Sequence, residues 1–196
     1  MKSMIQKAVR RAAVAVCLLA LPVAVHAQTW QAFLSGLNEV PANASTAIGF
    51  STITLTGNSL SLFESWTGLT TIPTGAHIHC CVPIGTNTAV VIPFGGFPAA
   101  TSGTYTNTFD LSTTGVYTPG FLAANGGSAS AAQATLIAGL NAGLAYANIH
   151  NSTAPGGEIR GQFGLVTPEP SSVALIAVGL MAVGVGSRRR RNSRTA

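Results

Sequence analysis

Three of the chain's four histidines fall in two short stretches of similar sequence. The stretch GAHIHCC covers residues 75–81, and YANIHNS covers residues 146–152. Residues two positions apart on a β-strand point to the same side, so His77 and His79 would share one face, about 6.5–7 Å apart along the strand. With His150 they could offer three imidazoles to one ion. Imidazole suits copper or zinc, and three such ligands leave a coordination position open.

The two stretches align residue by residue. Ala76-His77-Ile78-His79 corresponds to Ala147-Asn148-Ile149-His150, with Asn148 at the position of His77. Equivalent strands of a pseudo-symmetric β fold often pack side by side, so the alignment favours a shared metal site. The alternative is that the histidines only hydrogen-bond backbone groups or one another, and the sequence leaves both interpretations open.

The N-terminus has the three parts of a secretory signal peptide. A basic stretch precedes the apolar run at 12–25, and Val25-His26-Ala27 supplies a cleavage site after small residues. We expect cleavage after Ala27, which removes Cys17 and His26; the alternative is an uncleaved membrane anchor. Residues 1–27 are therefore predicted to be a signal peptide.

The C-terminus combines an apolar segment with a basic cluster. Residues 172–187 carry no charge, and four arginines follow at once. As a helix this segment spans about 24 Å, slightly less than a hydrocarbon core of about 30 Å. The flanking arginines favour a transmembrane helix with the preceding domain facing outward, and the alternative is a buried core helix.

The charge distribution excludes a nucleic-acid partner. Nine of the ten basic residues lie near the two termini, whereas the middle of the chain holds Arg160 alone against five acids, which leaves about −4. No basic face is available there to hold phosphates.

Residues 28–167 read as one small, mainly β domain, an antiparallel β-sandwich or barrel. Threonine, serine, glycine and alanine dominate, and in residues 47–62 two alternating runs flank Gly57-Asn58, which predicts a hairpin. The alanine-rich stretch 126–143 predicts one short helix, capped by Ser128 or Ser130 and stopped at Gly143. The predicted strands cover residues 29–36, 47–57, 59–69, 75–82, 89–94, 103–111, 144–151 and 158–166.

The two remaining cysteines are adjacent, at Cys80 and Cys81. Export favours their oxidation, yet consecutive Cα atoms lie only about 3.8 Å apart, below the usual disulfide separation of about 4.4–6.8 Å. If the strand stays regular, Cys81 shares the face of His77 and His79 and becomes a candidate metal ligand. A vicinal disulfide, free or intermolecular thiols, and a metal thiolate all remain open.

Hydrolytic and dinucleotide-binding motifs are missing from the sequence. The stretch GFSTI fails the G-x-S-x-G pattern at its last position, and neither H-E-x-x-H nor G-x-G-x-x-G opening a helix occurs. The sequence therefore predicts a protein that is not an enzyme, unless a bound metal supplies the chemistry.

Three stretches of the middle region resemble the signatures of the CHRD domain family. They are FLSGLNEVPANASTAIG at 33–49, GAHIHCC at 75–81 and LAYANIHNSTAPGGEIRGQF at 144–163. The resemblance implies a β-rich extracellular module without an established reaction. Pro155-Gly156-Gly157 is expected to turn the chain so that 146–151 pairs with 158–163. Glu158 and Arg160 are expected to form a structural polar cluster, pairing with each other or with Glu39.

The end of the chain resembles the PEP-CTERM sorting signal of Gram-negative bacteria. Pro168-Glu169-Pro170, the apolar segment and the arginine cluster follow one another in residues 168–196. The resemblance implies recognition by an exosortase, a transient membrane anchor, and release to the cell surface or an extracellular matrix. The sequence thus favours a non-enzymatic binding or structural role, with matrix polysaccharide or protein as candidate partners. A copper- or zinc-binding domain is the alternative.

Overall fold

The computed structural model of the protein describes residues 27–166. This part of the chain contains nine strands, two α-helices and two single-turn 3-10 segments. The strands are β1 (Gln28–Ser35), β2 (Ile48–Thr56), β3 (Ser59–Thr67), β4 (Pro73–Cys80), β5 (Val90–Pro93), β6 (Gly103–Asp110), β7 (Ala145–Asn151), β8 (Ile159–Gln162) and β9 (Gly164–Val166). The helices are α1 (Pro119–Ala124) and α2 (Ala129–Asn141), and the 3-10 segments are Gly36–Asn38 and Thr114–Val116.

The strands form one curled antiparallel sheet, a half-barrel. Their order is β5-β4-β7-β8-β1-β2-β3-β6, and β9 also pairs with β1. The mainly β fold is confirmed, as are the hairpins β2–β3 and β7–β8. A two-sheet sandwich is not formed, because all described strands belong to the same sheet.

Aromatic side chains connect the segment after β5 with strand β6. The ring of Phe94, just after β5, lies 5.7 Å from that of Tyr105 and 6.0 Å from that of Phe109, both on β6. The hydroxyl of Tyr105 also donates a hydrogen bond to the carbonyl of Gly95. Tyr105 and Phe109 are buried core residues, so these contacts join the segment after β5 to the core-facing side of β6, and the two strands do not pair.

Alternation along the strands builds the core. In β2 the side chains of Ser51, Ile53 and Leu55 are buried, whereas Thr56 is exposed and the other threonines are half-buried. Trp30 and Leu34 of β1 add to the same interior. Period-two burial of this kind is what a sheet with one covered face requires.

The structure contains the predicted helix and one that was not predicted. Helix α2 begins after Ser128, whose hydroxyl accepts a hydrogen bond from the backbone N–H of Ala131, and it ends before Gly143. Its residues Leu136 and Leu140 are fully buried. Helix α1 was missed, although Thr118 before Pro119 is a pattern typical of a helix start.

Candidate metal site

The two histidine stretches lie on neighbouring antiparallel strands, β4 and β7. Their register places His77 opposite Asn148 and His79 opposite Tyr146, while His150 faces Gly75. The intervening residues of both strands, such as Ile78 and Ile149, point into the core. Because side chains alternate, the three histidines project from the opposite face of the sheet, beside the loops that follow β4 and β7.

The structure brings the three imidazoles together. The ring centroids are 5.7 Å apart for His77–His79, 5.1 Å for His77–His150 and 6.1 Å for His79–His150. One nitrogen from each ring lies within 4.8 Å of the other two. His79 is buried, and the other two rings are half-buried. Nitrogens that bind one ion at about 2.0–2.1 Å lie at most about 4.2 Å from one another, so small side-chain rotations that close this spacing would bring all three to a single ion.

Backbone carbonyls fix the orientation of two of the rings. Nδ1 of His79 lies 2.8 Å from the carbonyl oxygen of Thr88, and Nδ1 of His150 lies 2.9 Å from that of Pro155. A carbonyl only accepts hydrogen bonds, so each Nδ1 carries the proton and each Nε2 keeps its lone pair. Neither Nε2 has a hydrogen-bond partner among the described residues. This arrangement, with one nitrogen held by a backbone group, is typical of metal-binding histidines.

Burial keeps the imidazoles neutral. Removal from water, together with the nearby histidines, lowers the pKa of His77 to about 4. Burial also lowers the pKa of His79 to about 4, against the opposing effect of its hydrogen bond to Thr88, and burial lowers the pKa of His150. At neutral pH the rings are therefore in the form that donates a lone pair to a metal.

Tyr146 supports His79 from the neighbouring strand and was not identified from the sequence. The two rings stack 4.6 Å apart and 3° from parallel, and the guanidinium of Arg160 lies 3.4 Å from the centroid of Tyr146. The Tyr146 hydroxyl accepts a hydrogen bond from the N–H of Thr88, the residue whose carbonyl holds His79. Tyr146 has the same strand parity as His150, and that periodicity could have placed it on the site's face.

The predicted polar cluster is divided between two groups. Arg160 donates hydrogen bonds to the side-chain oxygen of Asn87 and the carbonyl of Thr86, whereas Glu39 accepts one from Asn148. Burial raises the pKa of Glu39 to about 7, although the positive charge of Arg160 opposes the shift. Glu39 and Arg160 therefore both lie beside strand β7, but they do not form the direct ion pair that the sequence suggested.

Glu158 forms hydrogen bonds with a different set of residues. Its carboxylate accepts hydrogen bonds from Ser45, Asn151 and both the N–H and the hydroxyl of Thr70. Glu158 does not form the expected pair with Arg160. Regular strand β8 begins only at Ile159, so side-chain alternation does not place Glu158 and Arg160 on one face. Glu158 ties two loops to the end of β7, consistent with a structural role.

Gly157 makes room for the contact between Glu39 and Asn148. A Cβ at this position would lie 2.3 Å from Nδ2 of Asn148 and 2.4 Å from Oε1 of Glu39, and the backbone φ is +129°. We expect Gly157→Ala to lower the free energy of unfolding by about 2 kcal/mol or more, because both the clash and the left-handed backbone oppose a side chain.

Urea unfolding of Gly157→Ala beside Gly156→Ala checks this expectation. Gly156 has open space around its Cα and no positive φ, so its alanine variant should change stability by less than about 1 kcal/mol. Equal stability of the two variants would contradict the account.

Cys80 and Cys81 are joined by a disulfide and lie apart from the histidine group. The backbone at Cys81 has φ +140°, so the strand does not continue regularly and the parity that would have placed Cys81 beside His77 is lost. Both sulfurs lie against helix α2, where a Cβ on Gly139 would come within 2.2 Å of Sγ of Cys80. Of the four predicted metal ligands, the structure groups the three histidines only.

The signal peptide, Pro168-Glu169-Pro170 and the apolar segment at 172–187 lie outside the described residues. Within residues 27–166, no helix has the length and apolar character needed to span a bilayer.

Comparison with protein families gives two matches. Residues 30–163 match the CHRD domain, and residues 166–191 match the PEP-CTERM protein-sorting motif. The second match indicates that the protein is exported and sorted by an exosortase to the surface of a Gram-negative cell. Comparison with curated proteins and with solved structures gave no significant match.

Proposed function

Because the chain belongs to the CHRD domain family, we propose that its domain acts outside the cell by holding one copper or zinc ion at His77, His79 and His150. The observation that carries this proposal is the convergence of three imidazole nitrogens within 4.8 Å of one another. Metal-free cores rarely leave buried ring nitrogens without a hydrogen-bond partner, and His79 and His150 each have such an Nε2.

The donor set favours copper over zinc. Three neutral imidazoles suit both ions, and for a given nitrogen site the affinity of divalent copper exceeds that of divalent zinc. The sulfurs of Cys80 and Cys81 are bonded to each other, so no thiolate ligand enters the proposal. We propose a binding role rather than a catalytic one, because the polar groups beside the histidines, Glu39 and Arg160, are held by Asn148, Asn87 and Thr86.

Metal content provides the first test. Residues 27–166 carry the whole described sheet and its core, so this domain should be purified, loaded with copper or zinc, dialysed and analysed for bound metal. We expect about one ion per chain and a melting temperature raised by several degrees, because the ion binds the folded state alone. Replacing all three histidines by alanine should reduce the content below about one tenth of an ion per chain.

A cysteine variant serves as the matched control. Cys80→Ser with Cys81→Ser removes both sulfurs and leaves the three imidazoles in place, so a folded double variant should still bind about one ion. Circular dichroism verifies the fold of each variant. Metal that stays with the triple histidine variant, or leaves with the cysteines, would contradict the proposal.

A second candidate role is binding of a matrix polysaccharide or protein. A cleft of about 480 Å³ between the loops after β1 and β4 is bordered by three exposed apolar side chains, Phe33, Leu37 and Ile84. Apolar side chains bordering a cleft are typical of a recognition surface. Neutral matrix polysaccharide should retain the wild-type domain, and Leu37→Ser combined with Ile84→Ser should weaken retention at least tenfold. Retention that is unchanged in this variant would oppose the role.

A further inference from the structure

Strand β6 forms an end of the sheet with one long edge unpaired. It pairs with β3 over eight consecutive residues, from Gly103 opposite Trp66 to Asp110 opposite Ser59, without a shift in register. No other strand in residues 27–166 pairs with it. A strand of eight residues is about 27 Å long. Its outer edge is therefore long enough to receive another strand.

Hydrogen bonds at both ends of β6 identify which backbone groups face outward. The N–H of Leu111 donates to Asn58, and the carbonyl of Thr101 accepts from Leu69, so the odd-numbered residues turn toward β3. In an antiparallel pair the direction alternates, so the even-numbered residues turn away from it. In agreement with this, the N–H of Thr108 bonds to the side chain of Asn107 rather than to β3.

Two outward-facing residues have free backbone groups. Among the described residues, the outward-facing N–H and C=O groups of Thr104 and Thr106 have no backbone hydrogen-bond partner. The carbonyl of Asp110 is used by Thr113. Proteins usually protect such an edge with lysine, proline or a bulge, and β6 has none of these.

The surface charge offers little resistance to association. Of the five charged side chains in residues 27–166, only Asp110 is exposed, since Glu39, Glu64, Glu158 and Arg160 are all buried. A surface with so little charge has weak electrostatic repulsion between copies. Asp110 lies at the very end of β6, so its position restricts how two copies can pair.

We propose that β6 pairs with β6 of a second copy of this chain in antiparallel orientation. Outward-facing groups must lie opposite one another, which is met when Thr106 faces its own equivalent and Thr104 faces Thr108. Asp110 then lies opposite Ser102, and the two aspartates are about 27 Å apart, beyond the screening length of about 8–10 Å. A parallel pair in register would instead place the two aspartates side by side.

The threonine side chains fit this arrangement. Thr104, Thr106 and Thr108 are exposed on the outer face of the sheet, and cross-strand threonine pairs stabilise antiparallel sheets. Asn107 must release the N–H of Thr108 for the ladder to extend fully. A single strand pair buries less area than a standard interface, so we expect a dissociation constant on the order of micromolar. This inference does not depend on the histidine site.

Sedimentation equilibrium of the domain and its variants tests the proposal. Thr106→Lys places two like charges opposite each other on the two-fold axis, and Thr106→Pro removes an outward N–H without touching the β3 ladder. We expect a wild-type dimer whose dissociation constant rises at least tenfold in both variants. Gln31→Lys is the control, because it adds the same charge at an exposed position on β1, in the middle of the sheet.

Circular dichroism of each variant establishes that it is folded. A wild-type domain that is monomeric at about 1 mM would overturn the proposal. A dimer that persists equally in folded Thr106→Lys and Thr106→Pro, or that Gln31→Lys disrupts as strongly, would also overturn it.

Discussion

Replacing Glu158 with glutamine is expected to lower the free energy of unfolding by about 3 kcal/mol or more. The Glu158 carboxylate is 1% exposed and accepts from the Ser45 hydroxyl at 2.7 Å and the Thr70 N–H at 2.9 Å, and from Asn151. An amide replaces one of the two acceptor oxygens by an NH₂ group. This new donor would then face the N–H and O–H donors that the carboxylate accepts from in the wild type. Buried groups that lose their partners carry the full cost of leaving water.

Urea unfolding at pH 7 measures this effect. Asp110→Asn makes the same type of change at an exposed carboxylate, and we expect it to alter stability by less than about 1 kcal/mol. If Glu158→Gln unfolds at the same urea concentration as the wild type, the carboxylate does not hold the loops together as described.

Replacing Glu64 with glutamine is expected to raise the free energy of unfolding at pH 8, because Glu64 is buried in the core without hydrogen-bond partners. It is 0% exposed, and neither carboxyl oxygen has a partner among the described residues. Burial raises the pKa of Glu64 from 4.5 to about 8. Ser51, opposite Glu64 on β2, opposes this rise in pKa, although the two side chains do not meet the geometry of a hydrogen bond.

The raised pKa makes stability fall as pH rises. Below pH 4.5 both the folded and the unfolded chain hold the proton, so the titration of Glu64 costs nothing. Between pH 4.5 and about 8 the unfolded chain releases the proton while the folded chain retains it. The folded state then loses roughly 1.4 kcal/mol of stability per pH unit through this group.

Glu64→Gln should remove this dependence without changing the shape of the side chain. We expect the variant to match the wild type near pH 5 and to exceed it by several kcal/mol at pH 8, with urea unfolding measured at each pH. The difference between variant and wild type isolates Glu64 from the other titrating groups. A difference that is constant across this range would show that Glu64 does not titrate as its burial implies.

The strands could be predicted from the sequence because burial follows a period of two. Alternation in residues 47–62 located β2, β3 and their hairpin, and the likeness of 76–79 to 147–150 indicated that β4 and β7 are neighbours. The face shared by His77 and His79 follows from the same periodicity. These features depend on local pattern, which the sequence carries directly.

Features that no alternation or repeat in the sequence reports could not be predicted. Phe94, just after β5, meets Tyr105 and Phe109 of β6, and alternation does not report how these two ends of the sheet approach each other. Likewise, regular alternation along β4 would have placed the sulfur of Cys81 beside His77 and His79, but the irregular backbone at Cys81 breaks that alternation. The partners of Glu158 come from loops far along the chain, so its role required the folded structure.

Long-range ¹H–¹⁵N correlation spectra of the histidine rings, recorded as zinc is added to the metal-free domain, test the metal site most directly. At about one equivalent, we expect zinc to shift the resonances of Nε2 of His79 and His150 and of one ring nitrogen of His77. The Nδ1–H groups of His79 and His150 should persist, because Thr88 and Pro155 hold them. Ring nitrogens that do not respond to stoichiometric zinc, or coordination through Nδ1 of His79, would contradict the site.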